Sequence, residues 1–162
     1  MRYIQPLYFF ERREFVINSR IIDLHSATVV ADKALDDKYG YGTSQAGTFG
    51  YQANMHSSMY ALKAIKDYIQ VMKCLPKESE FLIEIVAEAV HDGWSNCVRN
   101  VFDARYLTET GEEKLKNRLA LADTPYNSLS EEEKEKDRVI ARAMIGLVTV
   151  GYLGAITQRP AQ

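Results

Sequence analysis

The chain has 162 residues, of which 46% are hydrophobic and 26% are charged, and its formal net charge is -2. These values are typical of a soluble globular domain with enough apolar mass for one core, which excludes intrinsic disorder of the whole chain. The slight negative charge argues against DNA or RNA binding, which depends on a surplus of basic residues. Two cysteines, Cys74 and Cys97, are too few for a disulfide framework, and both are expected to be reduced core residues.

The N-terminal residues lack the uninterrupted apolar run and the cleavage site of a signal peptide. The longest apolar run, from Ile145 to Ile156, is interrupted by three glycines and is shorter than the roughly 20 residues of a membrane span. The sequence therefore predicts a cytoplasmic protein without a membrane partner.

Hydrophobic periodicity predicts a mainly α fold, a compact bundle of about four principal helices with at most short strands. A short strand is expected at Arg13–Ile17, and Asn18 or Ser19 is expected to cap the first helix. Pro76 separates the second helix from the third. The predicted helices span about residues 18–37, 55–73 and 79–102, and a fourth begins near residue 130.

The fourth helix has the clearest start signal. Ser130 followed by Glu133 forms a capping box, in which the serine hydroxyl accepts a hydrogen bond from the backbone N–H three residues on. Three glutamates in the first turn also suit the positive end of the helix dipole.

Two stretches are expected to be irregular. The Gly/aromatic segment (residues 38–54) holds four of the nine glycines together with three tyrosines and a phenylalanine. It is either a ligand-recognition loop or a tight surface loop held by aromatic packing. The other stretch, residues 103–129, connects the third and fourth helices and includes a possible short strand around Tyr106–Thr108.

No catalytic or metal-binding motif is present. The three histidines, His25, His56 and His91, lack an HExxH spacing, and no GxSxG elbow occurs. The run EEEKEKDR (residues 131–138) is typical of a solvated helix face, and Glu132 is expected to pair with Lys136 on it. The sequence therefore predicts a protein that is not an enzyme and that carries no cofactor and no metal.

The lone tryptophan, Trp94, is followed by several basic residues. An indole face for a base and cationic donors for phosphates are what a nucleotide site requires. The alternatives are a core tryptophan and ordinary surface charge, since glutamates are interspersed. The basic residues are Arg99, Arg105, Lys114, Lys116 and Arg118.

Two pieces of the C-terminal half stand out, IVAEAVHDGW (residues 85–94) and TPYNSLSEEEKEKDR (residues 124–138), followed by the apolar helix ending in VGYLGAI. With these pieces the C-terminal half, about residues 79–156, resembles the ryanodine receptor (RyR) repeat. The family usually carries a second aromatic step, Gly-Trp-x-Tyr-Gly, where this chain has VFDARYLTETG.

The resemblance implies a non-enzymatic binding module for an adenine-type nucleotide or a cyclic nucleotide-derived signal, of the kind found in phage–bacteria conflict. It divides the chain into an N-terminal segment (residues 1–75) and an RyR-like module (residues 76–162) that share one core. An alternative is a homo-oligomeric structural protein of phage or bacterial origin without a small-molecule ligand. The ligand-binding residues predicted from the basic cluster and the resemblance are Trp94, Arg99, Arg105, Tyr106, Lys116, Arg118, Tyr126 and Arg138.

Overall fold

A computed structural model describes residues 14–17, 20–74, 76–100 and 111–158, with side chains from Ile22 to Val150 within these ranges. Two strands form an antiparallel hairpin, β1 (Glu14–Ile17) and β2 (Arg20–Asp23). The α-helices of the described ranges are α1 (Leu24–Tyr39), α2 (Phe49–Met72), α3 (Glu80–Asn100), α4 (Glu112–Ala122) and α5 (Glu131–Gln158), with a short 3₁₀ helix at Tyr126–Ser128 between the last two.

The predicted mainly α bundle is confirmed. One cluster of buried residues forms the core, and it includes Leu62 of α2, Val86 of α3 and Met144 of α5, all fully buried. Helices α2 and α3 make the most extensive helix pair, and α5 packs across α3 and α1. The core therefore draws on the chain on both sides of Pro76.

The start of α1 differs from the prediction. Residues 20–23, predicted to be helical, instead form β2, which pairs with β1. The helix begins at Leu24 because the Asp23 carboxylate accepts the Ser26 N–H at 3.0 Å, which makes Asp23 the N-cap. Asn18 and Ser19, the expected caps, lie outside the described residues.

The predicted cap of α5 is confirmed. The Ser130 hydroxyl accepts a hydrogen bond from the Glu133 N–H at 3.2 Å, and the helix begins at Glu131. Of the two cysteines, Cys97 is buried, and burial raises the pKa of its thiol to about 12. Cys74 is exposed, contrary to expectation, because α2 ends at Met72 with Lys73 as its C-cap, so Cys74 lies beyond the helix.

Helix α4 lies in a stretch that was expected to be irregular. Its inward face carries Leu115, Arg118 and Ala122 at helical spacing, so an arginine interrupts the apolar stripe that would reveal a helix. The possible strand around Tyr106–Thr108 lies outside the described residues.

Helices α2 and α3 approach each other closely at Gly93. A Cβ atom at this position would lie 2.5 Å from the His56 carbonyl oxygen and 2.9 Å from its carbonyl carbon. Backbone atoms cannot move aside as a flexible side chain can, so the bundle requires a glycine here.

We expect Gly93→Ala to lower the free energy of unfolding by about 1–3 kcal/mol, because the added methyl group forces α2 and α3 apart. Gly146→Ala in α5 is the matched control, since a Cβ there meets nothing within 4 Å. That change is expected to be neutral or to stabilise the helix by up to about 1 kcal/mol. Urea denaturation of both variants measures the difference, and equal stability would contradict the close approach.

Candidate ligand-binding site

A cavity of about 540 Å³ lies between the Gly/aromatic segment and the helices of the C-terminal half. This volume is within the range of small-molecule sites in proteins. All five described helices contribute to its wall, so the site depends on the assembled bundle. The side chains used in the argument below are Asp32, Phe49, Asn54, His91, Trp94, Lys114, Arg118, Glu133, Lys136 and Asp137.

Carboxylates of α1 hold the Gly/aromatic segment in place. The buried Asp32 side chain accepts the Ser44 N–H at 2.7 Å through one oxygen and the Asn54 side-chain amide at 2.8 Å through the other. One turn later, Asp36 accepts the Gly42 N–H at 2.7 Å. Gly42 has φ of 81°, a left-handed conformation that favours glycine. The segment is therefore fixed as one wall of the cavity.

Aromatic and cationic side chains line the same cavity. Trp94 and Phe49 contribute ring surfaces, and the Arg118 guanidinium lies 5.1 Å from the centre of the Phe49 ring. Lys114 lies one turn before Arg118 on α4, so that both cations belong to the same wall. Rings and cations in this arrangement can bind a planar, anionic ligand.

Another part of the wall is acidic and comes from the first turns of α5. Asp137 and Glu133, four residues apart, both line the cavity, and Lys136 pairs with Glu133 at 2.9 Å. Burial, together with the charge of Glu133, raises the pKa of Asp137 to about 8. The Asp137 carboxyl group lies 3.6 Å from Nδ1 of His91. The run EEEKEKDR is therefore only in part a solvated face, and Lys136 pairs with Glu133 instead of Glu132.

Two of the predicted site residues, Trp94 and Arg118, line the cavity. Arg99 instead donates to the Asp123 carboxylate at 3.1 Å and to the Ala122 carbonyl oxygen, so it joins α3 to the end of α4. Lys116 is exposed on α4 and is not among the residues that line the cavity. Arg105 and Tyr106 lie outside the described residues.

Tyr126 and Arg138 belong to a network that braces α5 against α3. The buried Tyr126 hydroxyl donates to Glu84 at 3.1 Å, and Arg138 donates to Glu84 at 2.6 Å and to Glu131 at 2.8 Å. The bond to Arg138 keeps the pKa of Glu84 below its usual range, and burial raises the pKa of Tyr126. The structure places both residues in this network rather than on the cavity wall.

Sequence reasoning missed Asp32, His91 and Asp137. Glu133, Asp137 and Ile140 recur at helical spacing, so they lie on one face of the helix. Because two of the three are acidic, nothing in the sequence indicated that other helices cover this face. Nothing local marked Asp32, whose partners lie 12 and 22 residues away.

We expect Asp32→Ala to lower the free energy of unfolding by about 2–4 kcal/mol, because Ser44 and Asn54 both lose a charged acceptor. The Gly/aromatic segment should then be cut faster by a protease at limiting concentration. Asp37→Ala on the same helix is the matched control, since Asp37 makes only an exposed pair with Lys33 and should have little effect on either measurement. Unchanged proteolysis of Asp32→Ala would contradict the anchoring role.

No family model, no curated protein and no solved structure matches this chain. The resemblance to the RyR repeat therefore stays a prediction. Within the ranges that the structure describes, no helix is long and apolar enough to cross a membrane. The same ranges contain no group of three or more His, Cys, Asp or Glu side chains that could hold a metal ion.

Proposed function

We propose that this chain is a non-enzymatic binding module for a nucleotide or a nucleotide-derived signal. The observation that carries the proposal is that one cavity is lined both by the rings of Trp94 and Phe49 and by the cations of Lys114 and Arg118. The RyR-like residues of the C-terminal half support the same class of ligand.

The aromatic rings suit the base of such a ligand. Any purine or pyrimidine base can stack on an indole, and the stacking stabilises the complex by about 1–3 kcal/mol. The Trp94 ring lies at 23° to the His91 ring with their centres 6.1 Å apart, so a neighbouring ring restrains the orientation of the indole. A restrained ring loses less conformational entropy when a base binds to it.

The cations of α4 suit the phosphates. Lys114 has no ion-pair partner within the described residues, so its charge is available to an anion. The guanidinium of Arg118 supplies planar donors that match phosphate oxygens in pairs. Lys136 on α5, by contrast, is held by Glu133 at 2.9 Å.

An assembly protein is the second candidate. It is favoured by exposed apolar residues at the connection of α2 and α3, where Val71 and Phe81 have 77% and 73% of their surface exposed. Patches of this kind mark protein contacts in many soluble proteins. Size-exclusion chromatography with light scattering, with and without nucleotide, distinguishes an oligomer from a monomeric binder.

A thermal-shift screen tests the proposed function with ATP, ADP, ADP-ribose and cyclic mono- and dinucleotides. A ligand at about 100 times its Kd adds roughly 2.7 kcal/mol, which raises the Tm of a chain of this size by about 5–11 °C. A selective rise is expected for one ligand class. A flat response to the whole panel would contradict the proposal.

Variants then assign the site. Trp94→Ala and Lys114→Ala are each expected to weaken binding about tenfold, through loss of stacking and of a phosphate contact respectively. Lys116→Ala is the matched control for Lys114→Ala, because it removes the same charge from the same helix outside the cavity. Isothermal titration calorimetry should give a Kd for Lys116→Ala close to that of the unchanged protein. Equal losses for the two lysine variants would indicate only a general charge effect.

A further inference from the structure

An asparagine side chain on the cavity wall is held by a buried carboxylate. Asn54 lies in the second turn of α2, and its side-chain nitrogen donates to Oδ1 of Asp32 at 2.8 Å. Oδ2 of the same carboxylate accepts the Ser44 N–H at 2.7 Å. Both Asp32 and Asn54 line the cavity. One buried carboxylate therefore fixes the backbone at Ser44 and the side chain of Asn54 together.

The carboxylate also determines which way round the amide of Asn54 lies. The two ends of an asparagine amide are similar in shape, but only the nitrogen can donate a hydrogen bond. Because the carboxylate of Asp32 only accepts, the nitrogen of Asn54 faces it. Turning the amide over would bring two acceptor oxygens together in a buried place, which costs free energy on both sides. The amide therefore has one favoured orientation.

Asn54 keeps one acceptor and one donor for a ligand. Within the described residues its Oδ1 has no hydrogen-bond partner, and Asp32 takes only one of the two hydrogens on Nδ2. Oδ1 is also not among the unsatisfied polar atoms that are closed off from solvent in these ranges. A ligand in the cavity can therefore reach a C=O acceptor and an N–H donor that lie side by side on one rigid group.

The surface of α2 around Asn54 leaves room for a flat ligand. The residues of α2 that line the cavity within four positions of Asn54 are all small: Gly50, Ala53 and Ser57. Trp94 reaches the same cavity from α3, and the residue before it packs against the α2 backbone at His56, two positions after Asn54. A base that stacks on Trp94 in the proposed function therefore has an edge near the Asn54 amide.

We propose that Asn54 reads the base of the ligand and selects an adenine-type base, in which an amino group lies beside an unprotonated ring nitrogen. The remaining N–H of Asn54 donates to the ring nitrogen, and its Oδ1 accepts an N–H of the amino group. Asparagine binds adenine through this pair of hydrogen bonds in protein–DNA complexes. The inference rests on the proposed function and adds to it the class of base and the residue that selects it.

The fixed orientation of the amide makes the contact selective. In IMP a carbonyl oxygen replaces the amino group of AMP, and in the same pose it would face Oδ1 of Asn54, acceptor against acceptor. A freely rotating amide could turn over to suit either base. Asn54 cannot do so without turning its own oxygen toward Asp32. A pair of hydrogen bonds of this kind discriminates between bases by about ten- to a hundredfold.

The experiment compares AMP with IMP by calorimetry on the unchanged full chain, since the two ligands share the ribose and the phosphate. AMP is expected to bind at least about tenfold more tightly than IMP. 7-Deaza-AMP and 1-deaza-AMP each lack one of the two ring nitrogens beside the amino group, and one of them should bind about tenfold more weakly than AMP. Binding of IMP as tight as that of AMP, or no loss for either deaza analogue, would overturn the inference.

Asn54→Leu separates reading of the base from a structural role. Leucine keeps the size of the side chain but has neither donor nor acceptor, so the preference for AMP over IMP should fall to about one, whatever the overall loss of affinity. If Asn54 served only to hold Asp32, both ligands would lose the same factor and the preference would persist. Asn100→Leu, which removes an exposed amide bonded to Asn96 outside the cavity, is the matched control and should keep the preference.

These outcomes distinguish the inference from the proposed function. Nucleotide binding that does not depend on the amino group would refute the role of Asn54 and leave the proposed function standing. The absence of binding for every nucleotide, in calorimetry and in the thermal-shift screen, would refute both. The comparison of AMP with its analogues uses the unchanged protein, so it decides the question even if Asn54→Leu does not fold.

Discussion

The buried carboxylate of Asp32 is the interaction on which the cavity depends. A buried carboxylate is costly unless it is hydrogen-bonded, and here each oxygen has one donor from the Gly/aromatic segment, Ser44 or Asn54. The segment in turn supplies the wall that carries Phe49 opposite the C-terminal helices. A glycine-rich chain without this anchor has no core of its own to hold it, so the site belongs to both halves of the molecule.

The helices were predictable because apolar residues recur along them at helical spacing. Four of the described helices were predicted on that basis, and the start of α5 at Ser130 was read correctly from a hydrogen bond within one turn. The strand expected at Arg13–Ile17 is confirmed by β1, but β2, α4 and the start of α2 at Phe49, within the segment expected to be irregular, were not predicted. Residues 20–23 continue the apolar pattern of α1, and only the Asp23 cap reveals where the helix begins. In α4 the inward stripe includes Arg118, a residue that periodicity alone assigns to solvent.

The site was predictable only in part, because the side chains that line a cavity are brought together by long-range packing. Trp94 and Arg118 were predicted because an aromatic ring and a cation have a recognisable use wherever they occur, and both line the cavity. Asp137 was not predicted because its place on the cavity wall comes from how α5 packs against α3 and α1. Such long-range packing cannot be predicted from the local sequence. Tyr126 and Arg138 show the converse: their residue types suit a ligand, but Glu84 binds both.

Two of the helices that line the cavity, α5 and α4, are buried in the core to different extents, and this difference affects how a ligand would bind. Asp137 lies on α5, which contributes a run of buried core residues from Val139 to Val148. Lys114 and Arg118 lie on α4, which buries only Ala122 among its residues. Helices with few buried contacts open most readily. The α5 part of the cavity is therefore the more rigid one, while phosphates bound by α4 in the proposed function would stabilise the docking of that helix. In the proposed function, ligand binding and the position of α4 are then thermodynamically linked, because an anion that binds both cations also favours the docked helix.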